Sequence, residues 1–335
     1  MGQVTIKDVA REAGVSISTV SNALNDVDVL TPETKAHVLE VAERLHYIPN
    51  LNGRNLKTKA TKAIGLFVSS MSGAYYGELA DSIQRVCDKR GYELNVFISR
   101  KSMSVMANVF GRRVDGGIFL NEMITENHRE SLKEAGIPMV FLDREWIDDK
   151  MSSVVFDSYQ AGFDAATYLL SLGSSRIGYI SGITEMYDGR ERHRGFMDGL
   201  AQAKTPLNPD WMWAGYFNRA ETQKTLTRYM EEKYPEKGLP DVIFAANDES
   251  AIGCIEILQK CGIKVPEQVK VLGCDDIELA QWFNPKLSTI KTSMWEQGKL
   301  AAETLMDMLA GQTGKLEKIP GILVERDSTK RWSEF

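Results

Sequence analysis

From Ala63 onward, short apolar runs alternate with amphipathic helical stretches, and this alternation constrains the fold more than any other feature of the chain. AIGLFV precedes a helical stretch from Gly77 to Arg90, YELNVFI one from Met103 to Arg113, and GGIFL one from Glu126 to Ala135. MVFL and IGYI come next, then a helix near Arg192 to Ala203, VIFAA before Glu249 to Cys261, and VKVLG. Such repetition implies parallel sheets with helices on both faces. About eight units is a lot for one sheet, so two doubly wound lobes are expected. Lys286 to Lys291, a helix at Met294 to Leu309 and the closing ILVERD read as a return path.

The first 60 residues follow a different grammar, of helices only. Thr5 and Asp8 form a capping-box pattern, Ile6, Val9 and Ala10 make an inner stripe, and Gly14 ends the first helix. Ser16 caps a second helix to about Leu24, with Val20 and Leu24 turned inward. Thr31-Pro32-Glu33 opens a third, along which Val38, Val41, Ala42 and Leu45 recur at helical spacing.

Two helices around a short glycine turn, with a third behind them, describe a helix-turn-helix. Its second helix can enter a major groove while the first crosses the phosphate backbone. Ile17, Ser18, Ser21 and Asn22 are left on the outside. Asn can pair with adenine and Ile can touch a thymine methyl, while the hydroxyls of Ser16 and Thr19 suit phosphate oxygens. The net charge of −6 does not argue against DNA, because it is unevenly spread. Residues 1–62 hold eight Lys/Arg against seven Asp/Glu, and Arg44, Arg54, Lys57, Lys59 and Lys62 lie in a stretch without an acid.

Several apolar runs in the core end in polar residues: Asp143, Asn247 with Asp248, and Asp275 with Asp276. In open α/β sheets the ligand crevice lies outside the carboxyl ends of the strands. Asp143, Asn247 and Asp275 are therefore expected to meet a hydroxyl-rich ligand, with Asp248 and Asp276 capping the helices that follow. Arg192 adds a planar fork, and Tyr75, Tyr76, Phe217 and Trp282 are candidates to stack on a sugar ring.

The stretch TIKDVAREAGVSISTVSNALN, followed by RLHYIPN and R-x-L-K, resembles the lactose-repressor/galactose-repressor (LacI/GalR) family of bacterial transcription regulators. The resemblance continues through RRVDGGIFL, GIPMVFLDR, the R-x-x-G-F at 192–196, AANDESAIG, VLGCDD and LVERDST, and so spans nearly the whole chain. It implies an all-α helix-turn-helix headpiece (1–49), a hinge helix or linker (50–62), and a two-lobed α/β core like that of periplasmic sugar-binding proteins (63–335). The lobes are expected at about 63–158 with 292–320, and about 159–291 with 321–335. Base reading falls at Ile17, Ser18 and Asn22, within a DNA-contact set that adds Thr5, Ser16, Thr19, Ser21, Asn25 and Tyr47. Many relatives carry Arg at the position of Asn22, so a different base, adenine, is expected there.

The resemblance also places Asn50, Gly53, Arg54, Leu56 and Lys57 in a hinge that folds on DNA, with Leu56 wedged into the minor groove. Gly53 stands where relatives often have Ala and weakens so short a helix by about 1 kcal/mol. For the core, the resemblance matches Tyr75, Tyr76, Asp143, Arg192, Phe217, Asn247 and Asp275 to effector-contact positions. ISRKSMSVMANV is shorter than the usual family segment, which reshapes one wall of the cleft. Dimer surfaces are implied near Tyr76 to Arg90 and Ala251 to Cys261.

The expected protein is a sequence-specific transcriptional regulator, a repressor whose operator affinity is set by a small ligand, a sugar or sugar derivative before a nucleobase. Its partners are pseudo-palindromic double-stranded operator DNA, the effector and a second copy of itself, and no cofactor or membrane is expected. No stretch approaches the roughly 20 apolar residues of a membrane span, and MGQVTIKDVA lacks the apolar run of a secretory signal, so a cytoplasmic location is expected. Cys87, Cys254, Cys261 and Cys274 show neither zinc nor disulfide spacing. Nucleophile-elbow, phosphate-loop and His-rich metal patterns are lacking, which argues against an enzyme. A sugar-binding protein of a transport system is the alternative; it would need export and would lack the headpiece.

Overall fold

The computed structural model describes residues 4–25, 27–48, 60–71 and 74–330. The chain divides into two compact units, Met1–Thr61 and Lys62–Phe335.

The first unit has three helices, α1 (Ile6–Ala13), α2 (Ile17–Leu24) and α3 (Pro32–Arg44). Their ends are fixed by the expected residues. The Thr5 hydroxyl and backbone N–H both donate to Asp8 Oδ2, at 2.7 and 3.0 Å. Gly14 turns the chain at a φ of 63°, a conformation that costs glycine least. Ser16 and Thr31 accept from the backbone N–H groups of Thr19 and Thr34. Val9, Ala10, Ala13, Val20, Ala23, Val38, Val41 and Ala42 are buried together, with Ile6, Leu24 and Leu45 packed at the edge. The small alanines let three short helices approach closely.

In the second unit the chain runs β1 (Ala63–Val68), α4 (Ala74–Arg90), β2 (Glu93–Ile98), α5 (Ser102–Phe110), β3 (Gly116–Leu120), α6 (Glu126–Glu134), β4 (Met139–Phe141) and β5 (Met151–Phe156). It continues through α7 (Ser158–Ser171), β6 (Ile177–Ser181), α8 (Tyr187–Gln202), β7 (Met212–Ala214), α9 (Arg219–Glu232), α10 (Tyr234–Lys237) and β8 (Val242–Ala245). Then come α11 (Asp248–Lys260), β9 (Lys270–Asp275), α12 (Glu278–Trp282), β10 (Ser288–Lys291), α13 (Met294–Leu309), β11 (Leu316–Ile319) and β12 (Ile322–Val324).

Two six-stranded sheets result, in the orders β11-β5-β4-β3-β1-β2 and β12-β10-β9-β8-β6-β7. Every pairing is parallel except β10 with β12. β1 is buried along its whole length, as a strand covered on both faces must be. Phe67, Phe97, Phe119 and Phe141 stack across one face of the first sheet, with centroids 4.6–5.1 Å apart. Ile64, Leu66, Ile118 and Val140 pack on the other face with Leu79 and Ile83 of α4 and Leu305 of α13.

Three features depart from the sequence expectation. β5 and α7 occupy a region where no apolar run stands out, because Ser152 and Ser153 are buried in β5 and the inner face of α7 is Ser158, Ala161, Gly162, Ala165 and Ala166. α8 begins at Tyr187, five residues before the expected start, since its first turn is polar and contains Gly189. The third concerns α11, whose residues from Ala251 to Leu258 are buried within the chain except for half-buried Glu256. The segment from Ala251 to Cys261 therefore offers little free surface for a dimer.

Candidate functional sites: a reading helix and an acid-lined cleft

On α2, Ile17 is 46% exposed and Ser18 is exposed, while Ser21, Asn22 and Thr19 are half-buried. Ser16 Oγ lies 2.7 Å from Ser18 Oγ and 2.8 Å from Thr19 Oγ1, a cluster of hydroxyls at the helix N-terminus. The N-terminal end of a helix favours anions through its free N–H groups and its dipole. Asn25 donates to the Ser21 carbonyl at 2.6 Å, so its amide is engaged in ending the helix. Tyr47 is half-buried against the headpiece core, and Thr5 is exposed but bonded to Asp8. Arg44, counted as part of an acid-free stretch, meets Glu12 of α1 at 3.1 Å, and Lys62 sits 4.4 Å over the Tyr92 ring. Sequence distance hid both partners. Asn50, Gly53, Arg54, Leu56 and Lys57 lie outside the described residues.

In the second unit the strand ends of both sheets contribute to one region. Arg192, from α8, is 3% exposed. Its Nη1 donates to the Ala246 carbonyl and lies 4.0 Å from Asp275 Oδ1. Its Nη2 donates to Ser158 Oγ at 3.4 Å, and that hydroxyl donates to Asp188 Oδ1 at 2.6 Å. The guanidinium also stands 5.9 Å from the Phe217 ring centroid. Its Nε has no partner.

The carboxylates around it feel both burial and one another. Burial raises Asp275 to about 8, Arg192 opposes the shift, and Asp248 and Asp188 reinforce it. Asp188 is raised by burial against the pull of Arg192 and Ser158. From the first sheet's side, the Tyr75 hydroxyl donates to Gln297 Oε1 at 3.0 Å and its ring meets Tyr76 edge-on at 5.2 Å. Burial, then Asp188, Tyr76, Asp143 and Asp275, push the Tyr75 phenol well above its ordinary range. Tyr75 thus lies close enough to Asp143, Asp188 and Asp275 to feel their charge.

Other expected contacts have structural work of their own. Asn247 caps α11: its Oδ1 accepts from Ser250 N at 3.0 Å and its Nδ2 donates to the Phe217 carbonyl at 3.1 Å. Asp248, expected as the cap, lies inside the helix, where Thr289 and Ile277 donate to it at 2.6 and 3.0 Å and burial raises it to about 6. Asp276, the other expected cap, is held by Arg326 at 2.6 Å. Trp282 is 76% exposed at the end of α12 and takes no part in the contacts around Arg192. Asp143 is gripped by both ends of the Arg144 guanidinium at 2.6 Å.

The backbone is strained at the same place. Asp275 and Asp276 have φ of 127° and 63°, and Tyr216 and Phe217 have 54° and 57°. Each such residue costs on the order of 1–3 kcal/mol, and such costs concentrate where a site fixes them. Two contributors were not expected from sequence, Asp188 and Tyr187, both in the unrecognised first turn of α8. The Tyr187 hydroxyl donates to Glu145 Oε1 at 2.7 Å, and Lys318 reaches the same oxygen at 2.8 Å. A cavity of about 800 Å³ opens beside this cluster, bounded by Asp143 to Trp146 from one sheet's loops and Glu185 to Asp188 from the other's; Asp188 joins it to Arg192, while Arg192, Asp275, Phe217 and Tyr75 do not line it. Among the described residues, no cluster of His, Cys, Asp and Glu is placed to hold a metal ion, and no helix is long and apolar enough to cross a membrane.

The bacterial regulatory protein family named lacI matches residues 5–50, and the periplasmic binding protein-like domain matches residues 166–329. The HTH-type transcriptional repressor PurR of Vibrio parahaemolyticus is 33% identical over 91% of this chain and 92% of its own length. Catabolite control protein A of Priestia megaterium is 31% identical over 98% of this chain and 99% of its own. The Lac repressor bound to ONPG in its repressed state has 25% identity and a TM-score of 0.83, covering 98% of this chain and 100% of that one. A complex of the regulator CelR with cellobiose has 25% identity and a TM-score of 0.71, covering 97% and 100%. With its helix-turn-helix unit, its two parallel sheets and these relatives, the chain belongs to the lacI family of bacterial regulatory proteins and is a DNA-binding transcriptional repressor, not an enzyme.

Proposed function

We propose that this repressor's affinity for its operator is set by a small polyhydroxyl ligand, a sugar or sugar derivative, bound in the cleft around Arg192. The observation that carries the reading is the buried Arg192 guanidinium, with an unpartnered Nε, set beside two carboxylates and an aromatic ring. Carboxylates and a guanidinium accept from and donate to several hydroxyls at once, and a ring face covers a sugar's C–H groups. Tyr75, Asp143, Asp188 and Asp275 complete the site, Tyr76 lines it, and Asn247 positions Phe217. The CelR complex with cellobiose agrees with a carbohydrate in a fold of this kind. A role in sugar transport is disfavoured by the helix-turn-helix unit.

Ligand acts by favouring one arrangement of the two sheets, and it shifts operator affinity only as far as its affinities for the two arrangements differ. The test is a melting-temperature screen of the protein against sugars, sugar derivatives and nucleobases. A ligand at 100 times its Kd adds about 2.7 kcal/mol of stability. A response confined to nucleobases would overturn the carbohydrate assignment.

At the DNA, Ile17, Ser18 and Asn22 read bases while Ser16 and Thr19 hold phosphates, in the cytoplasm where the operator lies. Asn22→Ala is expected to weaken operator binding by about 1–3 kcal/mol, with discrimination lost at one base pair per half-site. An unchanged binding profile in a selection from random duplexes would move base reading elsewhere. A homodimer reading a pseudo-palindrome fits the family. The outward face of α4 is charged, with Arg85 and Asp81 paired at 3.3 Å. Exposed Val96 and Ile98 on edge strand β2 and Met103 and Phe110 on α5 offer the apolar surface such a dimer needs.

A further inference from the structure

We infer that the cleft admits an electrically neutral polyhydroxyl ligand and rejects the phosphorylated form of the same compound. The inference rests on the effector-cleft reading above and adds the ligand's charge. Seven carboxylates but only four cationic side chains line the cavity, a surplus of three negative charges. Each of the four cations already pairs with a carboxylate of the cavity wall. Arg144 grips Asp143 through two bonds of 2.6 Å, and Lys318 lies 2.8 Å from Glu145. Arg190 and Arg194 both meet Glu191, at 3.2 and 2.5 Å. Of the remaining acids, Glu126 pairs with Arg129, while Glu122 accepts from the Ser69 hydroxyl at 2.5 Å. Among the described residues, Glu185 and Asp188 meet no cation within ion-pair distance.

Behind this wall stands Arg192, linked to the cavity through Ser158 and Asp188. Its buried Nε hydrogen is a donor to spare. A buried guanidinium alone would invite an anion. This one already faces Asp275 at 4.0 Å and has Asp188 one hydroxyl away, and its Nε hydrogen is left without an acceptor. A hydroxyl or ring oxygen satisfies one hydrogen bond without adding charge. A phosphate dianion would bring its charge into a space already negative, and the exposed carboxylates Glu122, Glu126 and Glu185 repel it most strongly at low salt.

The experiment compares matched pairs by titration calorimetry and melting temperature at low salt. The probes are glucose with glucose 6-phosphate, ribose with ribose 5-phosphate, and adenosine with its 5′-monophosphate. In the pair that binds, the neutral member is expected to bind at least tenfold more tightly. The double variant Glu122→Gln/Glu185→Gln, which removes two of the surplus charges, should narrow that ratio to threefold or less. A phosphorylated member that binds as tightly as its parent overturns the inference and leaves the effector-cleft reading standing. A double variant that discriminates as strongly as the wild type also overturns it, because the acid surplus would not be the cause. Binding by no member of any pair would remove the effector-cleft reading and this inference together.

Discussion

Gly195→Ala is expected to destabilise the core by about 3 kcal/mol or more, lowering its melting temperature by roughly 5–10 °C. The reason is a close approach of α7 and α8. A Cβ at Gly195 would stand 1.9 Å from the Tyr159 carbonyl oxygen, and one at Gly162 would stand 2.1 Å from the Arg192 carbonyl oxygen. Both obstacles are backbone atoms, so relief requires the helices to separate. That separation would displace Arg192 and Asp188 from Ser158, and ligand response should be lost together with stability. Gly77 on α4 supplies the control, since nothing lies within 4 Å of its would-be Cβ. Gly77→Ala should raise stability, by up to about 1 kcal/mol, because alanine is the better helix former. Equal effects from the two substitutions in thermal melts would show that the α7–α8 contact is not as tight as described.

The second large effect concerns charge. Asp275, raised to about 8, and Asp248, raised to about 6, bind protons more tightly in the folded chain than in the unfolded one. Such groups contribute stability that is fully present below the unfolded carboxylate pKa of roughly 4 and is lost as pH rises through their folded values. Their share of stability should therefore fall between about pH 4 and pH 8. Asp275→Asn removes the charged form. It should flatten that decline and gain on the order of 1–3 kcal/mol at pH 8 and above, while abolishing ligand response. Arg192→Ala should do the opposite to stability. It leaves Asp188 and, as pH rises towards 9, Asp275 buried without their cation, and should cost up to about 3–5 kcal/mol at the alkaline end. Denaturant unfolding of both variants between pH 5 and 9 checks the signs. A decline in Asp275→Asn as steep as in the wild type would remove Asp275 as its source.

The contrast between what sequence disclosed and what it hid follows from where the information sits. Helix ends in the first unit were legible because a capping residue and its target lie three positions apart: Thr5 with Asp8, Ser16 with Thr19, Thr31 with Thr34. β1 and β3 were legible because a strand covered on both faces must be apolar throughout. α7 was not, because its contact with α8 depends on small residues that carry no hydrophobic signal.

For the cleft, Asp143, Arg192 and Asp275 were found as polar residues at strand ends or in a family motif. Asp188 was missed because Gly189 and the surrounding charges conceal the first turn of α8. Asn247 stood out at a strand end, but its bond to the Phe217 carbonyl was hidden, since it joins positions 30 residues apart. Trp282 carried a stacking side chain but sits exposed, away from the Arg192 contacts. Partners brought together by tertiary folding are what a linear reading lacks.

Operator affinity, measured with and without the ligand that raises the melting temperature, decides whether the cleft controls DNA binding. Fluorescence anisotropy on a duplex selected by this protein would supply both dissociation constants. Control of DNA binding by the cleft requires a change of at least fivefold, within the usual range of coupling between two sites, and loss of that change in Asp275→Asn. A ligand that stabilises the core yet leaves operator affinity unchanged would contradict it.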